Sequence, residues 1–157
     1  MKKIAVIDCG TNTFNLLVAE VTRESWSVLF HNKVAVKLGE GGFDDGVIQR
    51  HRFARGLDAL LVHKSAIDNL QCDYTFAFAT SALREASNGK AFIDRAKELF
   101  GIEIELISGD REAELICHGV RKSMNLGTNP VCIMDIGGGS TEFIIANSDT
   151  IFWKKSY

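Results

Sequence analysis

Two glycine-rich turns carry the residues of this sequence that are best suited to chemistry on phosphate. They are Asp8-Cys9-Gly10-Thr11-Asn12-Thr13 and Asp135-Ile136-Gly137-Gly138-Gly139-Ser140-Thr141. Glycines in a tight turn leave backbone N–H groups unobstructed, and Thr and Ser hydroxyls add further donors. Two such turns facing each other would clamp a phosphate chain. The Asp at the start of each turn could orient a metal ion or a water beside that chain.

The two turns belong to an internal repeat, in which residues 4–19 align without gaps to residues 131–146. The matched pairs are Asp8 with Asp135, Gly10 with Gly137, and Thr13 with Ser140. Each copy reads as a strand, an Asp, a glycine and hydroxyl turn, and a second strand. Two ordinary hairpins are the alternative. That alternative is weaker for the second copy, because successive glycines destabilise a hairpin unless their backbone is used.

Two charged side chains follow other predicted strands. Arg84 comes after Thr80-Ser81-Ala82-Leu83, and ligands bind at the carboxyl ends of strands in α/β sheets, so Arg84 is placed to meet an anion. Glu112 also follows a strand, and a carboxylate near a phosphate can act as a general base toward water. Each of these two residues can also be interpreted as serving the fold and not a ligand. Arg84 could be a surface or helix-end residue, and Glu112 could simply favour the dipole of a helix that begins beside it.

The predicted secondary structure around these residues begins with several strands and then alternates between helices and strands. Apolar patterns predict strands over residues 4–7, 14–21, 26–30, 34–38, 74–79, 102–107, 131–134 and 143–146. Residues 39–42 read as a flexible loop, and helices are predicted over about 45–69, 89–100 and about 110–124. Asp44 or Asp45, Ser87 and Ser108 can cap the three helices, and Gly101 ends the second one. This order predicts a mixed α/β sheet with helices packed on its faces.

Composition excludes several classes of protein. The 157 residues are 46% hydrophobic with a net charge of −2, which favours about one domain and no nucleic-acid partner. No run approaches the ~18–20 apolar residues of a membrane helix. The apolar stretch after Lys2 and Lys3 ends at Asp8, too early for a signal peptide. The four cysteines form no metal-binding pattern, so we expect a cytoplasmic protein with reduced thiols and no membrane partner.

Taken together, these segments resemble the exopolyphosphatase and guanosine pentaphosphate phosphohydrolase (Ppx/GppA) family, which has the actin-like (ribonuclease H-like) fold. The resemblance lies in both glycine turns, in the arginine segment 80–84 and in the glutamate segment 107–113, in family order. It implies a mixed sheet flanked by helices in the order β-β-β-α-β-α-β-α. It also implies a first actin-like lobe over residues 1–127 and, in residues 128–157, the opening hairpin of a second lobe. We therefore expect the open reading frame to continue past Tyr157.

The resemblance further implies hydrolysis of a terminal phosphoanhydride of inorganic polyphosphate or guanosine pentaphosphate, usually with Mg²⁺ or another divalent cation. By position, Glu112 would activate the water and Asp135 would help to place that water or the metal. The residues implied to bind phosphate are Gly10, Thr11, Asn12, Thr13, Arg84, Gly137, Gly138, Gly139, Ser140 and Thr141. The residues implied to hold the metal are Asp8, Asp135 and Glu142.

The sequence departs from the family pattern at Arg111, because the family often has two successive glutamates where this chain has Arg111 and Glu112. The arginine would alter the charge around Glu112. A non-hydrolytic nucleotide- or phosphate-binding regulatory module of the same fold is therefore the alternative function. A sugar or acetate kinase is disfavoured, because the glutamate segment does not resemble theirs. The preferred substrate and the oligomeric state stay open, a homodimer included.

Overall fold

The computed structural model describes residues 1–40 and 46–157. The predicted loop at Gly41 and Gly42 and the predicted helix caps at Asp44 and Asp45 lie outside the described residues. The described chain forms two compact units, Met1–Leu106 and Ile107–Tyr157. None of the helices in the two described ranges is long and apolar enough to cross a lipid bilayer.

Unit 1 is a five-stranded mixed sheet with three helices. Its elements are β1 (Lys2–Cys9), β2 (Thr13–Val21), β3 (Trp26–Ala35), α1 (Arg50–Leu70), β4 (Tyr74–Ala79), α2 (Ser81–Glu85), α3 (Gly89–Phe100) and β5 (Ile104–Leu106). The strand order is β3-β2-β1-β4-β5, with β1, β2 and β3 antiparallel and β4 and β5 parallel to β1. This order is that of the actin-like fold, so the predicted fold class is confirmed.

The core of unit 1 lies on one face of this sheet, because alternate strand residues point to the same side. Those of β1 and β2 that are fully buried are Ala5, Ile7, Cys9, Phe14, Leu16 and Val18. The apolar stripe of α1 recurs every three or four residues and packs on them. At the centre, the Phe92 ring of α3 makes edge contacts with Phe14 and Phe53, at centroid distances of 6.0 and 5.1 Å.

Several predicted boundaries in unit 1 were wrong. β3 is one strand rather than two, because β2 is long enough to pair with the polar residues 31–33 as well. Helix α1 begins at Arg50 and not near residue 45, and α2 was not predicted, since five residues are too few to show a helical period. The predicted ends of β4 and α3 are confirmed, and Gly101 ends α3 with a φ of 66°.

Ser87 was expected to cap α3, and this expectation was wrong. The N-cap position is Asn88, and its side chain forms no cap hydrogen bond. The Asn88 amide instead bonds the backbone of Ile48, accepting from its N–H and donating to its carbonyl, both at 2.9 Å. The Ser87 hydroxyl donates to the Gly46 carbonyl at 3.1 Å. Both side chains therefore anchor the segment before α1 and leave the start of α3 to backbone bonds.

Unit 2 is a three-stranded antiparallel sheet with one helix on it. Its elements are α4 (Gly109–Ser123), β6 (Val131–Ile136), β7 (Thr141–Ala146) and β8 (Ile151–Ser156), in the strand order β6-β7-β8. Ala113 and Cys117 of α4 pack on Ile144 and Ala146 of β7. The predicted hairpin is present, and β8 adds a strand that was not predicted. The predicted lobe boundary near residue 127 stays a prediction.

Candidate functional site

The two glycine turns have the same backbone geometry. The Gly10 N–H donates to the Thr13 carbonyl at 3.1 Å, and the Gly137 N–H donates to the Ser140 carbonyl at 3.0 Å. A Cβ added to Gly10 or Gly137 would lie 3.0 or 3.1 Å from that same carbonyl oxygen, closer than ordinary packing allows. The repeat in the sequence is thus also a repeat of this backbone hydrogen bond, and the close carbonyl favours glycine at positions 10 and 137.

In the first turn, the carbonyl groups of Thr11 and Asn12 accept backbone hydrogen bonds, and Thr11 is buried whereas Asn12 is exposed. The Thr11 carbonyl accepts from the Leu38 N–H at 2.7 Å, and the Asn12 carbonyl accepts from the N–H groups of Val36 and Lys37, both at 2.9 Å. Within residues 1–40 and 46–157, no backbone acceptor takes the N–H of Thr11 or Asn12. A turn fixed through its carbonyls, with amide donors to spare, is suited to an anion.

Asp8 is the second-last residue of β1, the strand that leads into the first turn. Its carboxylate accepts a hydrogen bond from the Asn15 side-chain amide at 3.1 Å, and the two residues are register partners on β1 and β2. Cys9 lies beside it but is fully buried, and that burial raises the pKa of the Cys9 thiol well above its usual range. Cys9 is therefore a packing residue, and of the two residues Asp8 is the one whose side chain can contact a polar ligand.

The second turn is more open. Gly138 and Gly139 are exposed, and their N–H groups have no backbone acceptor in the part of the chain that the structure describes. The turn is anchored at its far side, where Thr141 and Tyr157 exchange two backbone hydrogen bonds, at 2.9 and 3.0 Å. Successive glycine amides on a fixed strand end are the donors that an anion would need.

Two carboxylates of unit 2 lie side by side across its sheet. Asp135 on β6 is the register partner of Glu142 on β7, which in turn pairs with Ser156 on β8. Glu142 is only 1% exposed, and the Ser156 hydroxyl donates to its Oε1 atom at 2.7 Å. Asp135 is exposed. Sequence reasoning missed Ser156, and the apolar start of β8 at residues 151–153 was the one signal that could have revealed this strand.

Glu112 lies in the first turn of α4, as predicted. Its N–H donates to the Ser108 carbonyl at 2.9 Å, and the Ser108 hydroxyl accepts from the Arg111 N–H at 3.2 Å, so the predicted cap is confirmed. The Arg111 guanidinium donates to Glu114 Oε2 at 3.1 Å. The arginine that departs from the family pattern thus has Glu114 as an ion-pair partner.

Arg84 lies in the last turn of the short helix α2. Its N–H donates to the Thr80 carbonyl at 3.0 Å, and its side chain is 23% exposed and lies 3.9 Å from the Glu85 carboxylate. Helix α2 is packed closely against the start of α3, where a Cβ on Gly89 would lie 1.9 Å from the Leu83 carbonyl oxygen. This close approach fixes the backbone that carries Arg84.

The predicted site residues are divided between the two units. The structure brings Asp135 and Glu142 together in unit 2, with Glu112 and the second turn in the same unit. Asp8, the first turn and Arg84 belong to unit 1. Their assembly into one site with the residues of unit 2 stays a prediction.

The carboxylates were also tested as a metal site. Among the described residues, no group of three or more His, Cys, Asp or Glu side chains is placed to hold a metal ion. The pair formed by Asp135 and Glu142 still suits Mg²⁺, which is usually bound by one or two carboxylates together with substrate phosphates and water. Asp8 lies in unit 1, so a metal site that includes all three predicted ligands stays a prediction.

The strand order of unit 1 assigns the chain to a fold class. Its five-stranded mixed sheet, in the order β3-β2-β1-β4-β5, has the actin-like α/β fold. The Ppx/GppA phosphatase family model matches residues 17–156. The chain belongs to that family.

Individual relatives agree with this assignment. The chain is similar to an exopolyphosphatase from Cytophaga hutchinsonii of known crystal structure, with 42% identity, a TM-score of 0.96, and coverage of 99% of this chain and 50% of that one. A Ppx/GppA family member from Aquifex aeolicus is 27% identical, with a TM-score of 0.85 and coverage of 99% and 51%. A Haemophilus influenzae protein, provisionally assigned as an exopolyphosphatase, is 33% identical over 150 residues, which are 96% of this chain and 46% of that protein. The chain therefore spans about half the length of these relatives.

Proposed function

We propose that this chain is part of a cytoplasmic phosphoanhydride hydrolase that releases terminal orthophosphate from inorganic polyphosphate or guanosine pentaphosphate. The observation that carries the proposal is the pair of turns at Gly10 and Gly137, closed by equivalent hydrogen bonds of 3.1 and 3.0 Å, each following an Asp in a member of the Ppx/GppA family. The names of the relatives favour polyphosphate as the first substrate to test.

The reaction needs a water in line with the terminal phosphorus and donors for the charge that develops on the phosphoryl oxygens. In this proposal, Glu112 accepts a proton from the attacking water, and Asp135 orients that water. Arg84 and the amide groups of both turns bind the phosphate oxygens, which gives electrostatic stabilisation of the transition state. Mg²⁺, held by Asp135 and Glu142, would neutralise phosphate charge when bound.

The proposal is tested by measuring orthophosphate release from polyphosphate and from guanosine pentaphosphate with the full-length gene product. We expect Glu112→Gln to lower kcat about 10²–10⁴-fold, the usual contribution of a general base. Glu98→Gln is the matched control, because Glu98 lies on the exposed side of α3 and pairs only with Arg95 among the described contacts. If Glu112→Gln releases phosphate as fast as the wild type, the assignment of the base is wrong.

The non-hydrolytic alternative rests on Arg111. Its ion pair with Glu114 at 3.1 Å gives this guanidinium a partner within its own helix, so Arg111 does not by itself argue against hydrolysis. Isothermal titration calorimetry with guanosine pentaphosphate separates the two functions. Tight binding without release of orthophosphate from either substrate would favour the regulatory module.

A further inference from the structure

Lys154 of β8 makes an unusual set of contacts with a single turn of α4. Its Nζ atom donates to Glu114 Oε1 at 2.5 Å and to the Asp110 carbonyl at 3.2 Å, and it lies 3.7 Å from Asp110 Oδ2. The Lys154 side chain is only 21% exposed. Fully exposed ion pairs contribute little to stability. Lys154 differs because it is partly buried and bonds both Asp110 and Glu114, which lie one helical turn apart. One of these two bonds is to a backbone carbonyl, that of Asp110.

The turn that Lys154 holds is the turn that contains Glu112. Lys154 pairs with Ile144 on the sheet face that α4 covers. Two residues farther along β8, and hence on the same face, Ser156 donates to Glu142, whose register partner on β6 is Asp135. Lys154 thus connects the helix that carries Glu112 to the strands that carry Asp135 and Glu142.

We propose that Lys154 is a positioning residue, which fixes the first turn of α4, and with it Glu112, relative to Asp135 and Glu142. The inference rests on the proposed function, in which Glu112 and Asp135 act on the same water. Without the lysine, the turn keeps its cap at Ser108 but loses the two bonds that Lys154 donates to it from β8. A displacement of the base by about 1 Å can cost about 10²-fold in rate.

The charges of the contact are suited to this role. The hydrogen bonds from Lys154 and Arg111 lower the pKa of the Glu114 carboxyl, and the same bond to Glu114 raises the pKa of Lys154. The pair therefore stays ionised through the neutral range. Arg111 binds the other oxygen of Glu114, but 53% of its side chain is exposed and it belongs to α4 itself. Of the two cations, Lys154 alone ties the helix to the strand.

The first experiment compares substitutions of two adjacent lysines in the full-length protein. We expect Lys154→Met to lower kcat at least tenfold while KM for polyphosphate changes less than about threefold, because the phosphate-binding turns are untouched. Lys154→Arg should restore most of the rate, since it keeps the charge. Lys155→Met is the control, because Lys155 lies on the opposite sheet face against the Tyr157 ring. Wild-type kcat in Lys154→Met would overturn the inference.

A double-mutant cycle tests the route through Glu114. If Lys154 acts through its contact with this carboxylate, Glu114→Gln should lower kcat in the same direction. The double variant with Lys154→Met should then lose little beyond the larger single loss. Independent effects would instead multiply, as they do for residues that share no contact. Multiplied losses would therefore contradict a shared link between β8 and α4.

Hydrogen exchange gives a readout that does not depend on activity. In Lys154→Met, the amides of residues 112–114 should exchange at least tenfold faster than in the wild type, whereas those of α3 should be unchanged. If these amides exchange at the wild-type rate, Lys154 does not fix the turn. Suppose that Glu112→Gln retains full activity while the amides of residues 112–114 exchange faster in Lys154→Met. The proposed function then fails, whereas the role of Lys154 in fixing the first turn of α4 stands, so the two failures are distinguishable.

Discussion

A methyl group added at Gly56 would meet the fully buried ring of Phe92 in the core of unit 1. The added Cβ would lie 2.8 Å from Phe92 Cε2, 3.0 Å from Cζ and 3.4 Å from Leu38 Cδ2, whereas ordinary contacts begin at 3.4 Å. Phe92 is fully buried and wedged edge-on against Phe14 and Phe53. The ring therefore has to move by several tenths of an ångström at a site where its neighbours leave it no room.

The expected change in the free energy of unfolding for Gly56→Ala is the sum of two opposing contributions. Alanine is favoured over glycine inside a helix by about 0.8–1 kcal/mol. Overpacking a well-filled core costs about 1–3 kcal/mol. For Gly56→Ala, we therefore expect a net loss of about 0–2 kcal/mol in the free energy of unfolding. Gly119 in α4 is the matched control, because it also lies inside a helix, is exposed, and its added Cβ would meet no described atom within 4 Å beyond its chain neighbours and its own helix backbone. Gly119→Ala should gain about 1 kcal/mol.

The assay is urea unfolding of the two variants and the wild type in the full-length protein, followed by far-UV circular dichroism, with the m-values compared. The expected result is a difference of about 1–3 kcal/mol between Gly56→Ala and Gly119→Ala, the range of the overpacking term alone. If both alanines stabilise the protein equally, Phe92 does not restrict the space at Gly56, and the packing described for α1 and α3 is wrong.

Three further predictions concern a buried histidine, a helix cap and a turn. Burial lowers the pKa of His63, whose ring nitrogen bonds the Phe14 carbonyl at 3.3 Å. The folded protein therefore binds a proton at His63 less well than the unfolded chain does. The free energy of unfolding should fall as the pH drops below about 6.5, the ordinary pKa of histidine. His63→Gln should flatten that dependence in unfolding measurements between pH 8 and pH 5, and an unchanged slope would argue against it. Ser108→Ala should destabilise the protein by about 1 kcal/mol through loss of the cap on α4, measured by urea unfolding, whereas a neutral effect would show that the Ser108 hydroxyl contributes no capping energy. Gly137→Ala should slow phosphate release at least tenfold and lower the free energy of unfolding by about 1 kcal/mol, the usual size of a destabilising substitution, because the added Cβ would lie 3.1 Å from the Ser140 carbonyl oxygen. Full activity would exclude a close fit of this turn to phosphate.

The local elements of this protein could be predicted where the sequence marks their ends. The bounds of β4 and α3 were correct because Gly101 adopts the left-handed conformation that ends a helix and because apolar residues recur at strand and helix periods. The glycine turns were found through the match of residues 4–19 to residues 131–146. Glycine is favoured there because a Cβ would lie 3.0–3.1 Å from the carbonyl oxygen three residues farther on, so the preference has a local origin.

Pairing and packing were decided by tertiary structure. The polar residues 31–33 belong to β3 because their backbone pairs with β2. Strand β8 is present because it pairs with the edge of β7 that β6 does not occupy. Nothing in the local sequence distinguishes Lys154 from Lys155. One reaches two groups on α4 and the other lies against Tyr157, because successive strand residues face opposite sides of the sheet. Residue types and their spacing thus identified the candidate phosphate-binding residues. Only the fold decided that Glu142 is buried beside Asp135 and that a lysine links their sheet to the helix of Glu112, since both depend on strand register.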